Sequence, residues 1–226
     1  VHRFAATCHG ENRLDARRCL FDTAGLRQSP LPPPEISRPA MPTDPTLIGL
    51  PPIIDEKIRV LVLGSFPSPA SLAAQQYYGH KQNQFWTIVA ALTGEALVGA
   101  AYADKQRALL AHGIGVWDVY RHCAREGALD SAIRQAEAND FSQLKKWAPQ
   151  LQQVCFNGQT AGRFVRLFED AGYRTCVLPS TSPAYTLPLA EKLARWRAAL
   201  APALIPTLTP ALTPMSTPIS NQGDPR

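Results

Sequence analysis

Short apolar runs of strand length alternate with helical patterns four times between residues 59 and 200, and this alternation constrains the chain more than any other feature. Residues 59–64 (RVLVLG) read as a buried strand closed by Gly64. Segments 82–92 and 102–112 follow with apolar side chains at helical spacing: Phe85, Trp86, Val89 and Leu92 in the first, Leu109 and Leu110 in the second. The pattern then repeats as strand 115–119, helix 140–147, strand 153–156, helix 160–171 stopped by Gly172, and strand 175–178. The last helix is 187–200, with Leu189, Leu193 and Trp196 on one face. Strands this short and this apolar belong to a parallel sheet covered on both sides. The expected fold is therefore α/β, a three-layer αβα sandwich around a central four-stranded parallel sheet.

The 21 prolines are unevenly spread. Residues 1–45 hold a Pro-rich stretch that includes Ser29-Pro-Leu-Pro-Pro-Pro34, and are expected to be an irregular extension ahead of the functional unit. Residues 206–226 repeat Thr-Leu-Thr-Pro and Ala-Leu-Thr-Pro, which blocks helix and leaves little to bury, so a disordered tail is expected. The folded domain is then 46–205. No 18-residue apolar run exists, which excludes a spanning helix. The net charge of +5 permits a polyanionic partner without demanding one. Five cysteines without CxxC spacing give neither a zinc site nor a disulfide framework, and fit a reducing, cytoplasmic setting. No positively charged start followed by an apolar core marks a secretory signal.

Right-handed crossovers bring the carboxyl ends of parallel strands to one edge, where ligands bind near a topological switch point. The four segments to inspect are thus 64–68, 117–122, 157–160 and 179–185. Each carries polar, aromatic or small residues, the make-up of a site and not of a packing layer.

These segments, read in order, carry GSFPS (64–68), SL (71–72), QYYGHKQNQFW (76–86), WDV (117–119), GALDS (127–131), FNG (156–158) and LPSTSPA (178–184). Over residues 57–200 the set resembles the uracil-DNA glycosylase superfamily, and within it the hypoxanthine-DNA (deoxyinosine) glycosylase branch. The resemblance implies a monofunctional enzyme, without metal or cofactor, that hydrolyses the N-glycosidic bond of a deaminated base in double- or single-stranded DNA. A monomer with no membrane association is expected.

The residue roles follow from the same resemblance. Many superfamily members place Asp or Asn where this chain has Phe66, which can neither orient water nor move a proton; Asn83 takes over as the catalytic group. An amide can orient water and stabilise a leaving group, but is no general base at neutral pH. Asn83 could equally cap the helix that follows it. Tyr78, two residues before His80, is the expected stacking ring. Asp118 stands where uracil-specific members use Asn to read the base edge, or it is a salt-bridge partner for a nearby arginine. Ser65 and Phe66 offer backbone N–H groups to the base, Ser68 contacts a phosphate, and Asn157 lies at the base while bracing the first loop. Ser180, Thr181, Ser182 and Ala184 match the loop that clamps phosphates, with Tyr185 or Ala184 as the wedge that fills the vacated stack. That loop lacks the histidine of the uracil-specific members, which leaves stabilisation of the departing base unassigned. Lys81, Arg125 and Arg163 read as solvated charges.

Two other readings compete. One is a uracil- or mismatch-specific glycosylase. The other is a catalytically silent nucleic-acid-binding α/β module, suggested by the missing carboxylate at position 66. A serine hydrolase fails for want of a G-x-S-x-G elbow. No lysine lies in the four strand-end segments, which speaks against Schiff-base chemistry.

Overall fold

Strand β2 (Val60–Gly64) is buried at all five positions, as is β3 (Ile114–Asp118). Each fully buried Val, Leu or Ile side chain stabilises the fold by about 1.5–3 kcal/mol, so these two short runs anchor the domain. The computed structural model describes residues 46–204; the expectations for 1–45 and 206–226 lie outside the described residues. β2 pairs in parallel with β3 on one side and with β6 (Gln153–Asn157) on the other, and β6 pairs with β7 (Arg174–Leu178). The sheet order is β3-β2-β6-β7, four parallel strands as the alternation implies.

This order places the topological switch between β2 and β6. The chain leaves β2 for a neighbour on one side and leaves β6 for a neighbour on the other, so right-handed crossovers put the two connections on opposite faces. On one face α2 (Phe85–Thr93) packs against α7 (Leu189–Leu200), with Phe85 and Trp196 edge-on at 5.9 Å between ring centroids. α3 (Tyr102–Ala111) leads into β3. On the other face Phe141 meets Trp117 and Phe168, and Phe168 meets Phe156. Phe168 belongs to α6 (Val165–Asp170), which follows the single turn α5 (Gln159–Gly162).

Three local expectations need correction. The helix anticipated at 140–147 shortens to α4 (Leu144–Trp147), because Asp140 Oδ1 accepts the Ser142 N–H in a turn. The final helix buries Lys192, Trp196 and Leu200, while Leu189 stays exposed. The third correction is larger. A second sheet, antiparallel and ordered β1-β4-β5, is built from β1 (Leu47–Ile48), β4 (Tyr120–Arg125) and β5 (Ile133–Ala138). β4 begins two residues after β3 ends. At that bend the Val119 N–H donates to Gly64 O at 2.8 Å and the Tyr120 N–H to Ser65 O at 3.1 Å, so the second sheet is stitched to the loop after β2. Among the described residues no helix is long and apolar enough to cross a membrane.

Candidate functional site

The carboxyl edge of the parallel sheet opens into one cleft of about 860 Å³. Its lining includes all twelve residues singled out from the sequence, drawn from all four strand ends.

The floor lies at the end of β2. Gly64 is required there because a Cβ would collide with the Asp118 carboxylate and come within 3.4 Å of the Tyr78 hydroxyl. Asp118, the last residue of β3, is 4% exposed, and its Oδ2 has no hydrogen-bond partner among the described residues. Burial, then the neighbouring Asp130 carboxylate, push its pKa up to about 8 against the pull of Arg125. At neutral pH the group is a carboxylic acid, able to donate and accept at once.

Tyr78 sits beside it. Its φ of 55° is unusual for an aromatic residue, and packing on Phe85 holds it there, with ring centroids 3.8 Å apart and 18° between planes. One ring face is thereby occupied, and the Tyr78 hydroxyl is buried beside Asp118 and Asn157. Burial, then Asp118, raise the phenol far above its ordinary range, so it remains an O–H donor.

Asn83 lines the cleft just before α2. Its Oδ1 accepts the Phe85 N–H at 2.9 Å, so the residue does support the start of the helix. That bond fixes the amide and leaves the NH₂ group and one oxygen lone pair for a ligand.

The segment after β2 is arranged from below. Phe66 is 6% exposed, and the Arg125 guanidinium lies 5.2 Å from its ring centroid. Arg125 is no solvated charge: it is buried on β4 and donates to Pro67 O at 2.6 Å. Its place is not legible in the sequence, because the antiparallel sheet that presents it lacks a strong apolar alternation. Ser68 Oγ accepts the Ser71 N–H as the N-cap of α1 (Pro69–Ala74). Arg121 and His122, by contrast, reach out to Glu137 on β5. Ser65 is buried at the base of the cleft.

The loop after β7 is braced more tightly than its sequence suggests. Asn157 donates to Thr181 Oγ1 and accepts the Thr181 N–H, both at 2.9 Å. Thr181 is fully buried and also accepts the Gln84 N–H through its carbonyl. Gly158, at φ 100°, allows the close approach of Ser180, whose Cβ would lie 3.1 Å from an added side chain. Ser180 Oγ accepts the Ser182 N–H and Ser182 Oγ the Ala184 N–H. The backbone N–H groups of Thr181, Ser182, Ala184 and Tyr185 are thus used internally, and Ser180, Ser182 and Tyr185 line the cleft. Tyr185 is 44% exposed at the rim. On the opposite rim Leu129, 58% exposed, stands at the tip of the β4–β5 hairpin.

The fold is thus an α/β domain whose cleft opens at the switch point of its parallel sheet, the place where such sheets bind ligands. The model of the uracil DNA glycosylase superfamily matches residues 51–202, and the chain belongs to that superfamily. It is 43% identical over 150 residues to a hypoxanthine DNA glycosylase of Methanosarcina acetivorans, covering 66% of this chain and 95% of that protein. It is 40% identical over 151 residues to a hypoxanthine DNA glycosylase of Methanosarcina barkeri, covering 67% and 96%. A solution NMR structure from M. acetivorans, described as a uracil DNA glycosylase, superposes with a TM-score of 0.63 at 42% identity, covering 68% of this chain and 96% of that one.

Proposed function

We propose that this chain is a monofunctional DNA glycosylase that removes deaminated bases, hypoxanthine first, as the opening step of base excision repair. The observation that carries the reading is the floor of the cleft. Asp118 Oδ2 is buried and makes no hydrogen bond among the described residues, and the Asp118 carboxyl and Tyr78 both border Gly64. Unmet buried polar groups cost about 1–3 kcal/mol each, and an extruded base supplies what they lack. A neutral Asp118 matches the N1–H and O6 edge of hypoxanthine, accepting from one and donating to the other. The names of the Methanosarcina relatives support the same substrate.

The chemistry needs an oxocarbenium-like sugar, a positioned water and somewhere for negative charge on the departing base. Asn83 serves the last two. Held by the Phe85 N–H, its remaining lone pair orients water and its NH₂ group donates to the leaving purine. Tyr78 backs the base with the ring face that Phe85 leaves free. Ser68, Ser180 and Ser182 turn their hydroxyls to phosphates, Ala184 lies against the strand, and Tyr185 enters the vacated stack. Thr181 and Asn157 hold that loop in place. The substrate is damaged DNA, the protein acts as a monomer, and its compartment is the cytoplasm.

The test is base release from a single inosine oligonucleotide with enzyme in excess, beside uracil and xanthine oligonucleotides. Release of hypoxanthine ahead of uracil supports the reading. Faster uracil release favours the uracil-specific alternative, and salt-dependent binding without release favours the silent module.

A further inference from the structure

The last helix carries a lysine where a core residue is expected. Lys192, Trp196 and Leu200 stand four residues apart on one stripe of α7, and all three are buried, Lys192 with 1% of its surface exposed. Withdrawing an ammonium from water is costly unless its hydrogen bonds are replaced. An apolar side chain in the same stripe would avoid that cost. Among the described residues no carboxylate pairs with Lys192. Its Nζ instead donates to two neutral oxygens, Gln84 Oε1 at 2.8 Å and the Tyr185 carbonyl at 2.6 Å, and lies 5.4 Å from the Tyr185 ring centroid.

These two acceptors belong to different parts of the site. Gln84 follows Asn83 directly, and Tyr185 ends the loop after β7. A second bond runs parallel to the first, from the Gln84 N–H to Thr181 O at 3.0 Å. The amide of Asn83 is itself oriented by the backbone of residue 85. The side chain of Lys192 therefore spans the DNA-facing loop and the short segment that sets the direction of Asn83.

We infer that Lys192 is a positioning residue for base release: its ammonium ties the 179–185 loop to the 83–85 segment, so that seating the loop on DNA also aligns Asn83. This rests on the role of Asn83 proposed above. The uncancelled charge suits the task, because a carboxylate partner would hold the lysine equally well but would set a negative group beside a polyanion. A structural lysine would affect stability alone. A positioning lysine changes the chemical step at saturating DNA.

The experiment uses the full chain with K192M, Q84L and the double variant. It measures single-turnover release from an inosine oligonucleotide at saturating enzyme, DNA affinity, and melting temperature to set the assay where each variant is folded. Misplacing a reacting group by about 1 Å can cost on the order of 100-fold in rate. K192M is expected to lose roughly 10- to 100-fold in the saturated rate, with a smaller change in DNA affinity. Q84L is expected to lose less, and the double variant to be no slower than K192M, because both act through one bond. Folded K192M releasing base at the wild-type saturated rate would overturn the inference, as would losses that multiply in the double variant. Should K192M not fold, Q84L decides: a wild-type saturated rate there also overturns it. N83A serves as the control for the underlying reading. A wild-type rate in N83A removes the proposed role of Asn83, whatever Lys192 does.

Discussion

The two walls of the cleft are built by different physics. The wall formed by the parallel sheet rises from β2, β3 and β6, buried at nearly every position, with β7 buried only at Leu178, and its chemistry sits where the four strands end, at Gly64, Asp118, Asn157 and the loop after Leu178. A second part of the lining is the loop 128–131 of the β4–β5 hairpin, a hairpin whose second strand is almost wholly exposed and whose register shifts along its length. The first wall fixes position, since a buried strand cannot slip without moving its whole apolar set. The second tunes what the first presents. Arg125 and Asp130 both come from the hairpin side, and they pull the Asp118 carboxyl in opposite directions. Precision at this site comes from the rigid sheet, and its electrostatics come in good part from the added one.

Breaking this division of labour starts with the floor. Native Asp118 keeps its proton up to about pH 8, whereas an unfolded aspartate loses it near pH 4. Between these values the native state binds more protons, so stability falls as pH rises, by up to about 1.4 kcal/mol per pH unit. D118N cannot ionise. The stability of wild type minus that of D118N, from urea denaturation at pH 4 to 9, should decline across this window and level off above about pH 8. A flat difference would mean that the acid is not held neutral. Hypoxanthine release by wild type should fall over the same upper limb.

N83A comes next, with the single-turnover rate on inosine DNA expected to drop by about 100-fold, the scale for losing one preorganised donor. Part of its stability loss comes from the freed Phe85 N–H, about 0.5–2 kcal/mol for a capping contact. R125M tests the hairpin wall. It strips the Pro67 carbonyl of its donor and should cost about 1–3 kcal/mol in urea denaturation. It should also raise the Asp118 pKa further and move the D118N comparison to higher pH, which measures how far one wall sets the other. The smallest effect belongs to L129A at the exposed hairpin tip, within about 0.5 kcal/mol of wild type. A larger loss there would show that the tip packs more firmly than its exposure implies.

The sequence determined the parallel sheet, its four strand ends and the identity of the residues gathered there. Short β-branched runs have few other ways to hide their side chains, and a right-handed crossover leaves the ends of such strands on one edge whatever the loops contain. Phe85 and Trp86 were likewise legible as core from their helical spacing. Only the tertiary structure decided what each group could still offer once its neighbours were in place. That Thr181 is buried, with Asn157 and Gln84 using its polar atoms, follows only from the folded chain. Arg125 reads as an ordinary charge until it lies across Phe66, and only the folded chain shows Lys192 bridging Gln84 and Tyr185. The polar strands 120–125 and 133–138 carry no strong alternation, so the sheet they form left little trace in the chain. A hydrogen bond or a shifted pKa depends on atoms brought together from distant positions, and local sequence pattern does not encode which of them will meet.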